Sequence, residues 1–158
     1  MRGATGDHSA PPGAATDVAV FGRKDFQQAA LIGRMVRELN FPIDLVVVDT
    51  VRESDGLAMS SRNSYLDESA RASALALVES LRAAARAFAQ GERRGDALTA
   101  EGASSIAAHP EVTVDYFAVV DAVAMQPVVD ATPESVGIVA ARVGKTRLID
   151  NMVLGQPE

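Results

Sequence analysis

A chain of 158 residues that is 47% apolar has room for one domain, or for a partial domain with a small companion, and can bury a substantial core. Its formal charge of -6 and the absence of any long Lys/Arg cluster exclude the accumulated positive potential that nucleic-acid and anionic-membrane surfaces need, so any phosphate must be bound locally. With no cysteine there can be no disulfide, thiolate catalysis or Cys-ligated zinc, which agrees with a reducing, cytoplasmic setting.

In chain order, the segment MRGATGDHSAPPGAAT lacks the apolar centre of an export signal, and no stretch approaches the roughly 20 apolar residues of a membrane span. Its Gly, Pro, Ala and Ser content cannot offset ordering entropy, which predicts disorder over residues 1–15. The short run DVAVF at 17–21 ends at Gly22 and reads as a strand. Helical spacing then begins at Phe26 and continues through Ala29, Ile32, Met35, Val36 and Leu39, until Asn40 and Pro42 stop it. IDLVVV at 43–48 is the continuous β-branched run of a strand buried on both faces. Strand, helix and strand make a βαβ unit with a parallel sheet.

Residues 49–63 form a polar, Gly-containing connection that is long for a compact domain and therefore reads as a functional loop. Asp67 is positioned to cap a helix that runs through Ala72, Leu75, Val78, Leu81, Ala85 and Phe88 to Gly91. A shorter helix is predicted over 96–108, weakened by Gly102 and closed by Pro110. Strands follow at 112–123, 136–142 and 147–154, the last two joined by a turn at Val143-Gly144-Lys145-Thr146. The fold class is α/β: the second part of a Rossmann-like parallel sheet over 16–63, then a small α+β domain over 64–158. Ligands in open α/β sheets sit at the carboxyl ends of strands, so the loops after Phe21 and after Val48 are expected to face one crevice.

Two constellations on those loops can carry chemistry. Gly22, Arg23, Lys24 and Asp25, with Gln28 one turn on, lie where a helix N-terminus favours an anion by ~0.3–1 kcal/mol and where Lys24 adds a mobile charge. The alternative is that Asp25 merely caps the helix and Lys24 is solvated. Met59, Ser60, Ser61, Arg62 and Asn63 offer two hydroxyls and a guanidinium, which suit triphosphate oxygens and the charge on a departing pyrophosphate. Here the alternative is a polar loop in which Ser61 or Asn63 caps a turn. Gly144-Lys145-Thr146 imitates a P-loop ending, but Val139 stands where the first glycine belongs, so Lys145 reads as a solvated hairpin tip. His8 and His109 make no local motif, which speaks against metal binding or a histidine base. No base lies near Ser60 or Ser61, so a hydrolase triad is not supported.

FGRKDFQQ at 21–28, TVRESDGLAMSSRNSYL at 50–66 and ARVGKTRLIDN at 141–151 together resemble the motifs of the pantothenate synthetase (pantoate–beta-alanine ligase) family, and the resemblance runs from Asp17 to Leu154. It implies a nucleotidyltransferase-type Rossmann domain and a two-step ligation. ATP and pantoate give pantoyl adenylate and pyrophosphate with Mg2+, and beta-alanine then displaces AMP. By motif match Gly22, Arg23, Lys24 and Asp25 line the ATP site, Gln28 holds pantoate, Val51 meets the adenine, and Met59, Ser60, Ser61 and Arg62 complete the loop over the phosphates. Lys24, Ser60, Ser61 and Arg62 form the implied catalytic set. The family's first Rossmann strands and its HxGH-type motif have no counterpart in this sequence, which leaves a hydrophobic sheet edge to be covered. Three readings stand. The first is a truncated ligase, the second a split ligase with a complementing N-terminal chain, and the third a non-catalytic nucleotide-binding module. A homodimer is a further expected partner.

Overall fold

The structure, a computed structural model, describes residues 18–156. The predicted disordered tail, with His8, lies outside them. By compactness the chain divides into two units between Thr50 and Val51. This division falls ahead of the 63/64 boundary read from the change in pattern. The loop beyond residue 50 folds with the second unit because Leu57 belongs to that unit's core.

In the first unit, β1 (Val18–Gly22) and β2 (Asp44–Val48) pair in parallel, with Val18 opposite Asp44 and Gly22 opposite Val48. They flank α1 (Phe26–Glu38), which gives the expected βαβ order. Asn40 ends the helix in the left-handed region at φ 49, and the Phe41 N–H reaches the Val36 carbonyl at 3.0 Å, a Schellman closure that asparagine tolerates well. Ala29 and Gly33 are the buried positions of α1, and Gly33 leaves the room that Leu45 of β2 occupies: a Cβ there would lie 3.2 Å from Leu45 Cδ2. The expectation that β2 is buried on both faces is corrected. Val46, Val47 and Val48 are 44%, 38% and 45% exposed, because among the described residues β2 has β1 as its only strand neighbour and only Leu45 is partly covered.

The second unit is α+β. Its antiparallel sheet has the order β3 (Val112–Val120), β4 (Val136–Val143), β5 (Thr146–Val153). Helices α3 (Ala76–Ala89) and α4 (Gly95–Ala107) pack on it, burying Leu77, Leu81, Leu98 and Ile106 against Phe117, Val139 and Met152. Asp67 caps the first helix as expected, accepting the Ala70 N–H at 2.8 Å. The single long helix expected from there is interrupted at Leu75, leaving α2 (Glu68–Ala74) separate from α3. The Ser73 hydroxyl bonds back to the Ser69 carbonyl at 3.2 Å, a bond that bends helices, and the Leu75 N–H turns to Ala72. Gly102 is a packing site: a Cβ would lie 2.1 Å from Phe117 Cζ.

β3 stops at Val120, short of the expected Val123, because the Asp121 carboxylate accepts the Val123 and Ala124 N–H groups at 2.8 and 2.6 Å and folds the chain into a turn. The β4–β5 turn is the two-residue connection expected. Gly144 has φ 58 while Lys145 stays at negative φ, the pattern of a type II′ hairpin. No helix among the described residues is long and apolar enough to cross a membrane.

Candidate functional site

The carboxyl ends of two parallel strands are neighbours, so the turns after Gly22 and Val48 emerge together. The Arg23 guanidinium pairs with the Asp49 carboxylate across them at 2.8 Å. Residues Arg23–Asp25 form a 3-10 turn between β1 and α1. Asp25 makes no side-chain capping bond, so the simple capping alternative does not describe it. Asp25 and Gln28 are exposed, and Arg23 and Lys24 are half-buried. Gly22 is extended at φ -76, and a Cβ there would meet nothing within 4 Å, so open space lies beside the strand end.

The other predicted residues belong to the second unit. Residues 51–59 form a small hairpin: the Met59 N–H donates to the Val51 carbonyl at 2.9 Å, Arg52 bridges Ala58, and Gly56 at φ 95 turns the tip. Alternation puts Arg52 and Ala58 on one face and Val51 and Met59 on the other. Val51 and Met59 are 61% and 55% exposed, a pair of apolar side chains side by side.

Charged side chains hold the hairpin in place. Arg52 Nη1 lies 2.8 Å from Asp150 Oδ2 on β5, with the side chains only 10% and 3% exposed, and also reaches the Gly56 carbonyl at 3.3 Å. Arg71 of α2 bonds Glu53 at 2.6 Å and Asp55 at 2.8 Å. The buried Asn63 amide donates to Glu53 at 2.6 Å and to the Ala58 carbonyl at 3.1 Å. Bonds from Asn63, then Arg71, hold the Glu53 carboxyl below its ordinary range, and the Leu57 N–H, then Arg71, does the same for Asp55.

Asn63 thus anchors the loop, while Ser60 starts the 3-10 turn Ser61–Tyr65 by accepting the Arg62 N–H at 3.2 Å. The capping alternative names the right job but a different serine. Ser61 and Arg62 are exposed. Among the described residues the Arg62 guanidinium has no carboxylate partner, and it lines a cleft of about 580 Å³ with Tyr65, Lys145, Thr146 and Arg147. Lys145 is exposed at the hairpin tip, as expected, and from there it also lines that cleft. The signal that could have found it is the two-residue turn between β4 and β5, which fixes where the tip must project.

Gly22, Arg23, Lys24, Asp25 and Gln28 are gathered at one end of the first unit, and Val51, Met59, Ser60, Ser61 and Arg62 along one loop of the second. Comparison with known proteins bears on what these two groups belong to. The family model for pantoate-beta-alanine ligase matches residues 13–153. Pantothenate synthetase from Acidobacterium capsulatum is 49% identical over 140 residues, 89% of this chain and 47% of its own length; that from Trichlorobacter lovleyi is 45% identical over 139 residues, 88% and 49%. The crystal structure of pantothenate synthetase from Thermus thermophilus superposes with a TM-score of 0.84 at 41% identity, over 89% of this chain and 50% of that one. A pantoate-beta-alanine ligase from Francisella tularensis, complexed with beta-gamma ATP and beta-alanine, shares the fold at 23% identity and a TM-score of 0.52, over 90% and 46%. The chain thus spans about half the length of the relatives it matches, and over nearly its whole described extent it belongs to the pantoate-beta-alanine ligase family.

Proposed function

We propose that this chain supplies the C-terminal part of an ATP-dependent site that joins pantoate to beta-alanine. Pantoate attacks the α-phosphate of ATP, releasing pyrophosphate and forming pantoyl adenylate. The amine of beta-alanine then displaces AMP to give pantothenate. In this reading residues 16–63 supply the nucleotide-binding part and 64–158 the smaller α+β part. The observation that carries it is the Arg62 loop: a guanidinium without a carboxylate partner among the described residues, on a turn whose backbone is fixed by Ser60 and by the buried Asn63. Such a group can bond two phosphate oxygens at once and hold the charge that grows on the leaving pyrophosphate.

The remaining residues take roles that suit their surroundings. Lys24 and the N–H groups after Gly22 meet phosphate oxygens at the start of α1. Ser60 and Ser61 donate hydroxyls to phosphate oxygens. Val51 and Met59 present an apolar surface to the adenine, and the exposed Gln28 amide holds pantoate. The described residues include no group of three or more His, Asp or Glu that would cage a divalent cation, and the donors named above are cationic or hydroxylic. They do not fit a protein-held Mg2+, so the metal belongs with the nucleotide as substrate and no step is assigned to it.

AMP release by the purified chain, given ATP, Mg2+, pantoate and beta-alanine with each omitted in turn, tests the reading. Release that needs both pantoate and beta-alanine establishes the ligase in this chain. ATP binding without release, in a folded chain, marks it as part of a site completed by another segment. Lys24→Ala and Arg62→Ala are each expected to lower adenylate formation about 10²–10³-fold with little change in unfolding midpoint. Near-normal turnover in both removes the assigned roles.

A second reading, one subunit of a split ligase, is favoured by one observation. Leu31, Leu39, Phe41, Val46 and Val48 of the first unit are all exposed, an apolar surface that a complementing chain would cover. Co-purification of a complementing chain that restores AMP release would support it.

A further inference from the structure

We infer that the tip of the β4–β5 hairpin is a working part of the polyphosphate site, with Lys145 and Arg62 clamping the terminal phosphates of the nucleotide or the pyrophosphate they become. The inference rests on the reading of Arg62 as a phosphate residue. Its own support is the cleft, which lies wholly within the second unit.

The cleft is lined by Arg62, Tyr65, Lys145, Thr146 and Arg147. Three of the five carry positive charge and none is acidic, in a chain whose formal charge is -6. Arg147 has a carboxylate partner, its Nε donating to Asp115 at 2.6 Å, and Asp115, shared with Arg142 at 3.5 Å, is held below the ordinary carboxyl range by Arg147 first and Arg142 as well. Arg62 and Lys145 have no such partner among the described residues. Two uncompensated like charges on one concave surface repel, and a concave wall raises the potential felt by a small anion. A multivalent anion relieves both.

Neither cation is on a loose segment. Lys145 is the second residue of a two-residue turn whose flanking pair, Val143 with Thr146, is in the sheet ladder. Arg62 sits in the turn begun by Ser60. The hydroxyls of Tyr65 and Thr146 add neutral donors at the same wall. The two backbones are fixed while the long, exposed side chains of Arg62 and Lys145 can still reach, which suits an anion with several oxygens spread over two phosphorus centres better than a single phosphate.

The test is calorimetric binding of inorganic pyrophosphate, orthophosphate, ATP and AMP to the 158-residue chain and to Lys145→Ala, with circular dichroism to verify the fold. Lys145→Ala is expected to weaken pyrophosphate about tenfold, the lower end for a charge-assisted bond in an open cleft. AMP, which lacks the terminal phosphates, is expected to bind both proteins equally. If ATP weakens with pyrophosphate, the nucleotide's own terminal phosphates use the clamp; if pyrophosphate alone weakens, the clamp serves the released product. Arg62→Ala should weaken pyrophosphate as well, and the double variant should lose less than the product of the two single effects. Pyrophosphate binding that is absent, or unchanged in Lys145→Ala, overturns the inference. ATP binding that persists in that case leaves the ligase reading in place, whereas loss of both ligands from the unaltered chain removes the two together.

Discussion

Asp150→Ala tests whether the Arg52–Asp150 pair holds the 51–59 hairpin to the sheet. The variant leaves a guanidinium whose side chain is 10% exposed without its bidentate partner, which had oxygens at 2.8 and 3.4 Å. Breaking one side of a buried pair typically costs ~3–5 kcal/mol, because the remaining charge stays desolvated. Arg52 keeps bonds to the Gly56 and Asn151 carbonyls at 3.3 and 3.5 Å, which offset part of that loss and put the expectation near ~3 kcal/mol. With a urea slope of about 2 kcal/mol/M for a domain of this size, the unfolding midpoint should fall by roughly 1.5 M with the slope unchanged. The matching hydrophobic double variant, Arg52→Met with Asp150→Leu, should recover most of the loss. A midpoint shift below about 0.5 M in Asp150→Ala would refute the claim that this pair fastens the loop.

Gly102→Ala pushes a methyl group into the Phe117 ring, where the nearest carbon would be 2.1 Å away, so it should destabilise by ~1–3 kcal/mol despite the better helix propensity of alanine. Thermal unfolding measures it, and an unchanged or raised midpoint would show that the ring moves freely. Acid should loosen the loop at 51–63. Glu53 and Asp55 have folded pKa values held below their ordinary range, so their contribution is complete above about pH 4.5 and is lost as pH falls through the folded values. Limited proteolysis within 51–63 should therefore accelerate on acidification, and Arg71→Gln should shift the onset to higher pH; an identical onset in both proteins contradicts the network.

The elements that a residue pattern determines locally were legible. The spacing from Phe26, the cap at Asp67 and the Gly144–Lys145 turn each depend on a few adjacent residues, and each forms as read. What the pattern could not carry was context. IDLVVV reads as doubly buried because such runs usually have layers on both sides, yet Val46 and Val48 remain exposed here. The break at Leu75 is a local shift of the Leu75 N–H to the Ala72 carbonyl, which leaves apolar periodicity intact on either side. On the candidate site, Ser60, Ser61 and Arg62 were legible as donors on a loop. The members that fix that loop, Arg52, Arg71 and Asp150, come from distant segments. Asp150 did leave one trace: a carboxylate within the apolar run of β5 requires a cation from somewhere else in the chain.

The pairing of Arg52 with Asp150 joins residues 98 positions apart. During synthesis at ~5–20 residues per second, roughly 5–20 s pass between the appearance of one and of the other. Until then the hairpin that leads into Ser60 and Arg62 has no buried anion to close on, although its own turn can already form. The loop at 51–63 therefore acquires its final geometry only once β5 has left the ribosome, so an unfinished nascent chain carries Ser60 and Arg62 without the means to hold them.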